Sequence, residues 1–147
     1  MRRSIANKQT AERDAYDELC AYTLTHGDAS FIHQHVVDAF AAQNATDSSK
    51  PIGVAFALVG LYLHVEKGVS GRQVQRVHMQ LARRKRDWPR FALPADRGNF
   101  TALDVMKIAE GVGRDRAIDS WCASVWTAFA AERERVISLL NDHGISF

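Results

Sequence analysis

Two histidines and an aspartate interrupt the otherwise apolar stretch FIHQHVVDAF, residues 31–40. Imidazole and carboxylate groups in such a setting can bind a metal ion, exchange protons or hydrogen-bond within a core. Successive residues of a helix are roughly 100° apart, so His33 and His35 project from nearly opposite sides and do not chelate one ion together. His33 is predicted to share the apolar side of the helix with Val36, whereas His35 shares the other side with Asp38. The two histidines are therefore expected in different environments.

Histidines and a cysteine on other predicted helices extend this set. Cys20 lies on the inward stripe of the first predicted helix and His78 on that of the fourth. His64 lies near the end of the apolar third helix. With His33 they could converge as a tetrahedral zinc site with thiolate and imidazole ligands, supported by Asp38 or Glu66 as acceptors. The chain has no HExxH or CxxC spacing, so the residue types permit zinc without specifying it. The four candidate metal ligands are Cys20, His33, His64 and His78.

Two other interpretations of the histidines stay open. In the first, each is a core residue that hydrogen-bonds a neighbour: His33 a facing hydroxyl such as that of Tyr62, and His35 the carboxylate of Asp38 one turn on. In the second, a few polar groups converge on an apolar pocket, which is the usual form of a small-ligand site. The polar groups of that pocket would be His33, Asp38, His64 and His78.

Capping signals divide the first half of the chain into three helices. The first is expected to start at the N-cap Thr10 and end before Gly27, after a loose tail at residues 1–9. The second covers about residues 31–43 and is closed by the polar loop NATDSSK. The third runs from Pro51 to Gly68 and is apolar nearly all round, which indicates a central, buried helix.

The second half of the chain predicts further helices and no strands. Ser70 and Gln73 form a capping box for a fourth helix, which should stop where RRKRDWPRFALP introduces prolines. Thr101 opens a short helix, and a long last helix is predicted over about residues 115–141 with apolar positions near a heptad spacing. The sequence therefore predicts an all-α protein: one domain, residues 1–147, built as a bundle of five to six helices.

Composition narrows the class of protein. The 147 residues are 46% hydrophobic and 24% charged with a net charge of +2, close to values typical of globular domains. The two cysteines lack paired spacing and no secretory signal is evident, which favours reduced thiols and a cytoplasmic location. The longest apolar run, residues 52–63, is shorter than the ~20 residues needed to cross a bilayer. No membrane partner is therefore predicted.

A basic run raises the possibility of nucleic-acid binding. Residues 83–86 read RRKR and are followed by Trp88 and Arg90, and cations with an aromatic ring can contact phosphates and a base. No helix-turn-helix pair accompanies them, and basic residues also suit a helix C-terminus, so a nucleic-acid partner is disfavoured. Cys20 on an inward stripe should have a high thiol pKa. No catalytic residue is assigned, and whether the protein is an enzyme stays open.

Three motifs carry a resemblance to a known family. They are YDEL, H-x-x-x-x-D-A-F-x-x-Q and GLYLHVEKG, and through them the chain resembles small bacterial proteins grouped as a domain of unknown function. The resemblance implies a bacterial, soluble, helical protein and singles out His33, Asp38, Gln43 and Glu66 as candidate ligand-binding residues. Some members begin with a cysteine pair that could bind zinc, and this chain lacks that pair. The resemblance implies no activity.

Two functions from different classes follow. The first is binding of a small ligand or a metal ion, zinc being possible, in a polar pocket between helices. The alternative is a non-catalytic interaction or regulatory domain in which the histidines are structural. In that case the last helix, through Val125 and Phe129, would provide a homodimer seam.

Overall fold

Every regular element of the described chain is a helix. The computed structural model describes residues 2–26, 28, 30–84 and 87–147, with side chains from residue 7 onward. Gly27, predicted as a C-cap, and Lys85 and Arg86 of the basic run lie outside the described residues. The all-α class is confirmed, whereas the predicted count of helices was too low. The helices are α1 (Arg2–Thr25), α2 (His33–Gln43), α3 (Pro51–Lys67), α4 (Gly71–Arg84), α5 (Ala102–Met106), α6 (Val112–Ala128) and α7 (Arg133–Asp142).

Helix α1 begins at Arg2 and not at Thr10, so the segment predicted as a loose tail is helical from residue 2 onward. The physical reason is the absence of any glycine or proline before residue 27. Six of the eight residues from 6 to 13 are alanine, lysine, glutamine, glutamate or arginine, which favour helices. At 24 residues α1 is the longest helix of the described chain, whereas the last helix was predicted to be the longest.

Helix α3 is the central element, as predicted from its apolar sequence. Pro51 occupies its first turn, where the missing N–H costs nothing. Gly68 ends it in the left-handed conformation with φ 64°, and its N–H donates to the carbonyl of His64 at 3.2 Å. Residues 57–63 are all buried, because α2, α4, α6 and α7 each pack against a different side of α3.

Helices α2 and α3 cross where a glycine faces an aspartate. A Cβ atom built on Gly60 would lie 1.8 Å from Oδ2 of Asp38, so only glycine leaves room for this carboxyl group. One turn away the rings of His35 and His64 stack with centroids 3.6 Å apart. Residues 35 and 38 of α2 thus meet residues 64 and 60 of α3, which makes the two helices antiparallel.

The long last helix of the sequence prediction is two helices. It is interrupted after Phe129 by a single 3₁₀ turn, Ala130–Glu132, and α7 then packs against α3. After this turn Val136 and Leu139 of α7 are buried in the core. Val125 and Phe129, predicted to form a dimer seam, are 0% and 1% exposed within the single chain. That seam is therefore covered by the chain's own helices.

Within the part of the chain that the structure describes, no helix is both long enough and apolar enough to cross a membrane.

The Gly60 position gives a test of the α2–α3 contact. Gly60→Ala is expected to lower the free energy of unfolding by about 2 kcal/mol, because the added methyl overlaps Asp38 Oδ2 and lies 3.2 Å from Val74 Cγ1. Gly53→Ala is the matched control in the same helix: its Cβ meets nothing within 4 Å, so the better helix propensity of alanine should raise stability by about 0.5–1 kcal/mol. Urea unfolding followed by circular dichroism measures both.

The same substitution in a second variant tests whether the overlap with the Asp38 carboxyl group causes the loss of stability. In an Asp38→Ala protein the carboxyl group is gone, and Gly60→Ala should cost clearly less than in the wild type. Equal costs in the two backgrounds would show that the carboxyl group does not limit the approach of the helices.

Candidate functional site

Three of the four predicted zinc ligands, the histidines, each have a neighbour of their own. His33 Nδ1 lies 3.0 Å from the Thr23 hydroxyl, His64 Nε2 lies 2.9 Å from Asp119 Oδ1, and His78 Nε2 lies 2.8 Å from the carbonyl oxygen of Phe56. Cys20 is half-buried in α1, and burial raises the pKa of its thiol.

These neighbours turn the three histidines toward different helices, away from a common point. His33 faces α1, His64 faces α6 and His78 faces α3. Among the described residues no group of three or more His, Cys, Asp or Glu side chains could hold a metal ion. The predicted tetrahedral centre is therefore not assembled in this part of the chain.

The sides of α2 are the reverse of the predicted ones. His35 and Asp38 are buried with Val36, Ala39 and Ala42, whereas His33 is only partly buried. The reason is that Gly60 makes space for a polar side chain against α3, which the apolar pattern of α2 alone does not reveal. His33 pairs with a hydroxyl, as one interpretation expected, but the hydroxyl is that of Thr23 and not that of Tyr62. The two histidines do occupy different environments.

Asp38 and His35 form a buried polar layer with unusual protonation. Asp38 Oδ1 accepts a hydrogen bond from Gln34 Nε2 at 3.0 Å, so the bond expected between His35 and Asp38 is not formed. Asp38 Oδ2 and His35 Nδ1 are buried without a hydrogen-bond partner. Burial raises the pKa of Asp38 well above its usual value. Burial, with a contribution from His64, lowers the pKa of His35 to about 3. His35 is uncharged at neutral pH, and the raised pKa of Asp38 favours its uncharged form, which lowers the cost of burying both side chains.

Gln43 and Glu66, predicted as ligand-binding residues, accept hydrogen bonds from two tryptophans of α6. Trp121 Nε1 donates to Gln43 Oε1 at 2.9 Å, and Trp126 Nε1 donates to Glu66 Oε2 at 2.7 Å. Glu66 also receives Arg133 Nη2 at 2.7 Å, and the hydrogen bonds from Arg133 hold the pKa of Glu66 below its usual value. Glu66 thus joins α3, α6 and α7, and its contacts are structural.

Gln43 also anchors the irregular segment that precedes α5. Its side-chain Nε2 donates to the carbonyl of Phe100 at 2.8 Å. In return Arg97 reaches the end of α2: its Nη1 donates to the carbonyls of Gln43, at 3.2 Å, and of Ala45. Arg97 Nε donates to the carbonyl of Pro94 at 2.9 Å, which fixes the plane of the guanidinium group. A cation is well placed here because the C-terminal end of a helix carries partial negative charge.

A cavity of about 290 Å³ opens beside this anchor, between α1, the end of α2 and the segment before α5. Its volume is close to the lower end of the range typical of ligand pockets, roughly 300–1,000 Å³. Arg97 forms no ion pair with any described residue, and its Nη2 has no hydrogen-bond partner among them. The polar groups at the wall include Lys8, Glu12, Gln43, Asn44, Arg97 and Thr101.

Sequence reasoning found Gln43 but missed the residues that complete its surroundings. Arg97 lies between two predicted helices, in a segment to which no site was assigned, and Trp121 lies within the predicted last helix without an assigned role. Both are far along the chain from Gln43, and no local spacing connects them. The one available signal was the motif that ends at Gln43, because a polar residue at the last turn of an apolar helix needs partners from elsewhere.

These observations define the class: an all-helical protein whose motif residues hold helices and one loop together beside a small polar cavity. The chain belongs to a family of unknown function, DUF5946, whose model matches residues 10–130. The matched range includes Asp38, Gly60 and Glu66 as well as Gln43 and Arg97. No curated protein and no solved structure shows significant similarity to the chain.

Low pH should lower the free energy of unfolding, because it protonates the buried histidines. The pKa of His35 is lowered to about 3 and that of His78 to about 4, mainly by burial, from a value of 6.5. A lowered histidine pKa contributes stability above the unfolded pKa that is lost as pH falls from about 6.5 toward the folded value. His35→Phe keeps a ring and removes the titration. The gain in unfolding free energy between pH 5 and pH 7 should therefore be smaller than in the wild type by about 2 kcal/mol.

Asp38→Asn is the control, because it should change the stability gain between pH 5 and pH 7 in the opposite direction. A raised carboxyl pKa gives stability that is lost as pH rises toward the folded value, so removing this group should make the gain between pH 5 and pH 7 larger. Urea unfolding of the three proteins at both pH values gives the comparison. A His35→Phe profile parallel to that of the wild type would contradict the buried, neutral imidazole.

Proposed function

We propose that the cavity beside Gln43 and Arg97 binds a small polar molecule that carries a carboxylate, and that this binding is the function of the protein. The main support for this proposal is Arg97, a half-buried residue. Its guanidinium group is held by backbone carbonyls and has no carboxylate partner in the described residues. Carboxylates are the groups that a planar guanidinium recognises best, through two parallel hydrogen bonds.

The charges around the cavity support an anionic group at one end. Lys8 adds a second positive charge on the wall. Burial lowers the pKa of Arg97, which indicates a partly desolvated cation, while the charge of Asp47 acts in the opposite direction. A desolvated cation gains more from a bound anion than one in open water.

The remaining polar groups favour a small ligand with further hydrogen-bonding groups. Glu12 Oε1 accepts from the Thr101 hydroxyl at 2.8 Å, which leaves lone pairs on the same carboxylate for a donor on the ligand. The side-chain amide of Asn44 also lines the wall. A cavity of this volume and polarity suits a molecule of a few carbon atoms better than a large apolar one.

The competing interpretation is that Arg97 serves only to anchor the loop. Its three carbonyl contacts fulfil that role through Nε and Nη1 alone. The second terminal nitrogen, Nη2, is not required for the anchor. Binding and anchoring are thus separable within one side chain, and a test should leave the anchor intact.

Succinate is a suitable probe, because it is a small dicarboxylate and has an uncharged counterpart in succinamide. Binding should shift the indole N–H resonance of Trp121 in a nitrogen–proton NMR spectrum, since this N–H donates to Gln43. The indoles of Trp88 and Trp126 are internal references, and Trp126 donates to Glu66 instead. A saturable shift of the Trp121 indole with succinate but not with succinamide is expected.

Lys8→Gln tests the charge without touching the anchor. It should weaken succinate binding by about threefold to fivefold, which corresponds to one exposed charge pair. Lys67→Gln, an exposed lysine at the end of α3, removes the same charge elsewhere and should leave the dissociation constant unchanged. The proposal fails if succinamide shifts the Trp121 indole as succinate does, or if neither compound shifts it.

A further inference from the structure

A second cavity lies at the end of α4 and shares no residue with the one beside Arg97. Its volume is about 450 Å³, well inside the range of ligand pockets. One wall is the last turn of α4 and the other is the chain that follows α7. The residues that matter for its chemistry are Gln80, Arg83, Arg84, His143, Ile145 and Phe147.

The second wall is built by a reversal of the chain. Gly144 adopts the left-handed conformation with φ 68°, which favours glycine. Ile145 N then donates to the carbonyl of Leu140 at 3.0 Å, and the side chain of Ile145 packs against the core. These contacts hold Ile145 against the core, and residues 145–147 line the cavity opposite Arg83 and Arg84. The reversal of the chain after α7 therefore builds this wall.

Positive charge on this side of the molecule is not compensated. Helix α4 carries four arginines and no acidic residue. None of its arginines forms an ion pair within the described residues. Arg83 and Arg84 are consecutive, exposed and both at the wall of the cavity, whereas Arg72 and Arg76 lie outside it. Two adjacent guanidinium groups suit a doubly charged group with several acceptor oxygens, which describes a phosphate monoester.

Other polar groups and an apolar surface complete the cavity. His143 Nδ1 donates to the carbonyl of Leu139 at 2.8 Å, which leaves Nε2 of the neutral ring as an acceptor for a hydroxyl group of the ligand. Gln80 adds a side-chain amide. Phe147 is 52% exposed, and Ile145 lies beside it along the same wall. An exposed aromatic side chain next to cations is the combination that receives a base together with its phosphate.

We propose that the cavity between Arg83, Arg84, His143 and Phe147 binds a phosphate monoester of a ring-bearing organic molecule, such as a nucleoside monophosphate. The arginines bind the phosphate group and Phe147 contacts the ring. This proposal is independent of the carboxylate cavity, because the two share no residue and use different probes.

The test uses adenosine 5′-monophosphate, with adenosine lacking the phosphate, measured by isothermal titration calorimetry. The nucleotide is expected to bind at least tenfold more tightly than adenosine. Changing Arg83 and Arg84 together to alanine should weaken its binding on the order of tenfold or more, because charge-assisted hydrogen bonds are lost. Phe147→Ala should weaken it by about fivefold, through the lost contact with the ring.

A charge-matched variant separates a site from a general positive field. Arg72→Ala with Arg76→Ala removes the same charge from the same helix outside the cavity and should change the affinity by less than about twofold. The proposal is overturned if this variant weakens binding as much as the Arg83 and Arg84 variant, or if adenosine binds as tightly as the nucleotide. Absence of nucleotide binding overturns it as well. A single-stranded oligonucleotide that binds tightly and is weakened equally by both double variants would also overturn it, in favour of an extended binding face.

Discussion

The contact between Asp38 and Gly60 sets the distance between α2 and α3, and most of the interior follows from it. Because a glycine receives the carboxyl group, the helices approach closely enough for His35 to stack on His64. The cost is the burial of a carboxyl group and an imidazole, and this burial raises the pKa of Asp38 and lowers that of His35. In both cases the shift favours the uncharged form of the side chain.

The polar residues of the family motifs act as tertiary connections. Gln43 and Glu66 are both indole acceptors for α6, and each has a second connection: Gln43 to the segment before α5 and Glu66 to α7 through Arg133. Bonds of this kind leave few buried polar atoms unsatisfied and therefore favour one arrangement of the helices over others. The same residues that resemble a ligand set in sequence thus specify the packing.

Local signals in the sequence predicted several helix ends, but not the site. Pro51, Gly68 and Thr101 mark helix ends as predicted, since each acts through its own backbone. The partners of Gln43 and Glu66 are 78 and 60 residues away along the chain, so only the tertiary fold reveals them. The break after Phe129 escaped prediction for a related reason: no glycine or proline marks it, and packing against α3 selects it.

A consequence of this division is that the polar groups left without a protein partner lie at the edges of the fold. The histidines predicted as zinc ligands each have a neighbour of their own. At the edges, helix ends present carbonyls that attract arginines, and an arginine held in this way through some of its nitrogens keeps others available, as Arg97 does. Helix α4 ends in two exposed arginines, Arg83 and Arg84, which line one cavity together with the chain reversed by Gly144. The backbone that ends a helix thereby also forms the wall of a cavity with a fixed charge. The reason is that the groups that satisfy a helix terminus are the same groups that recognise small ions.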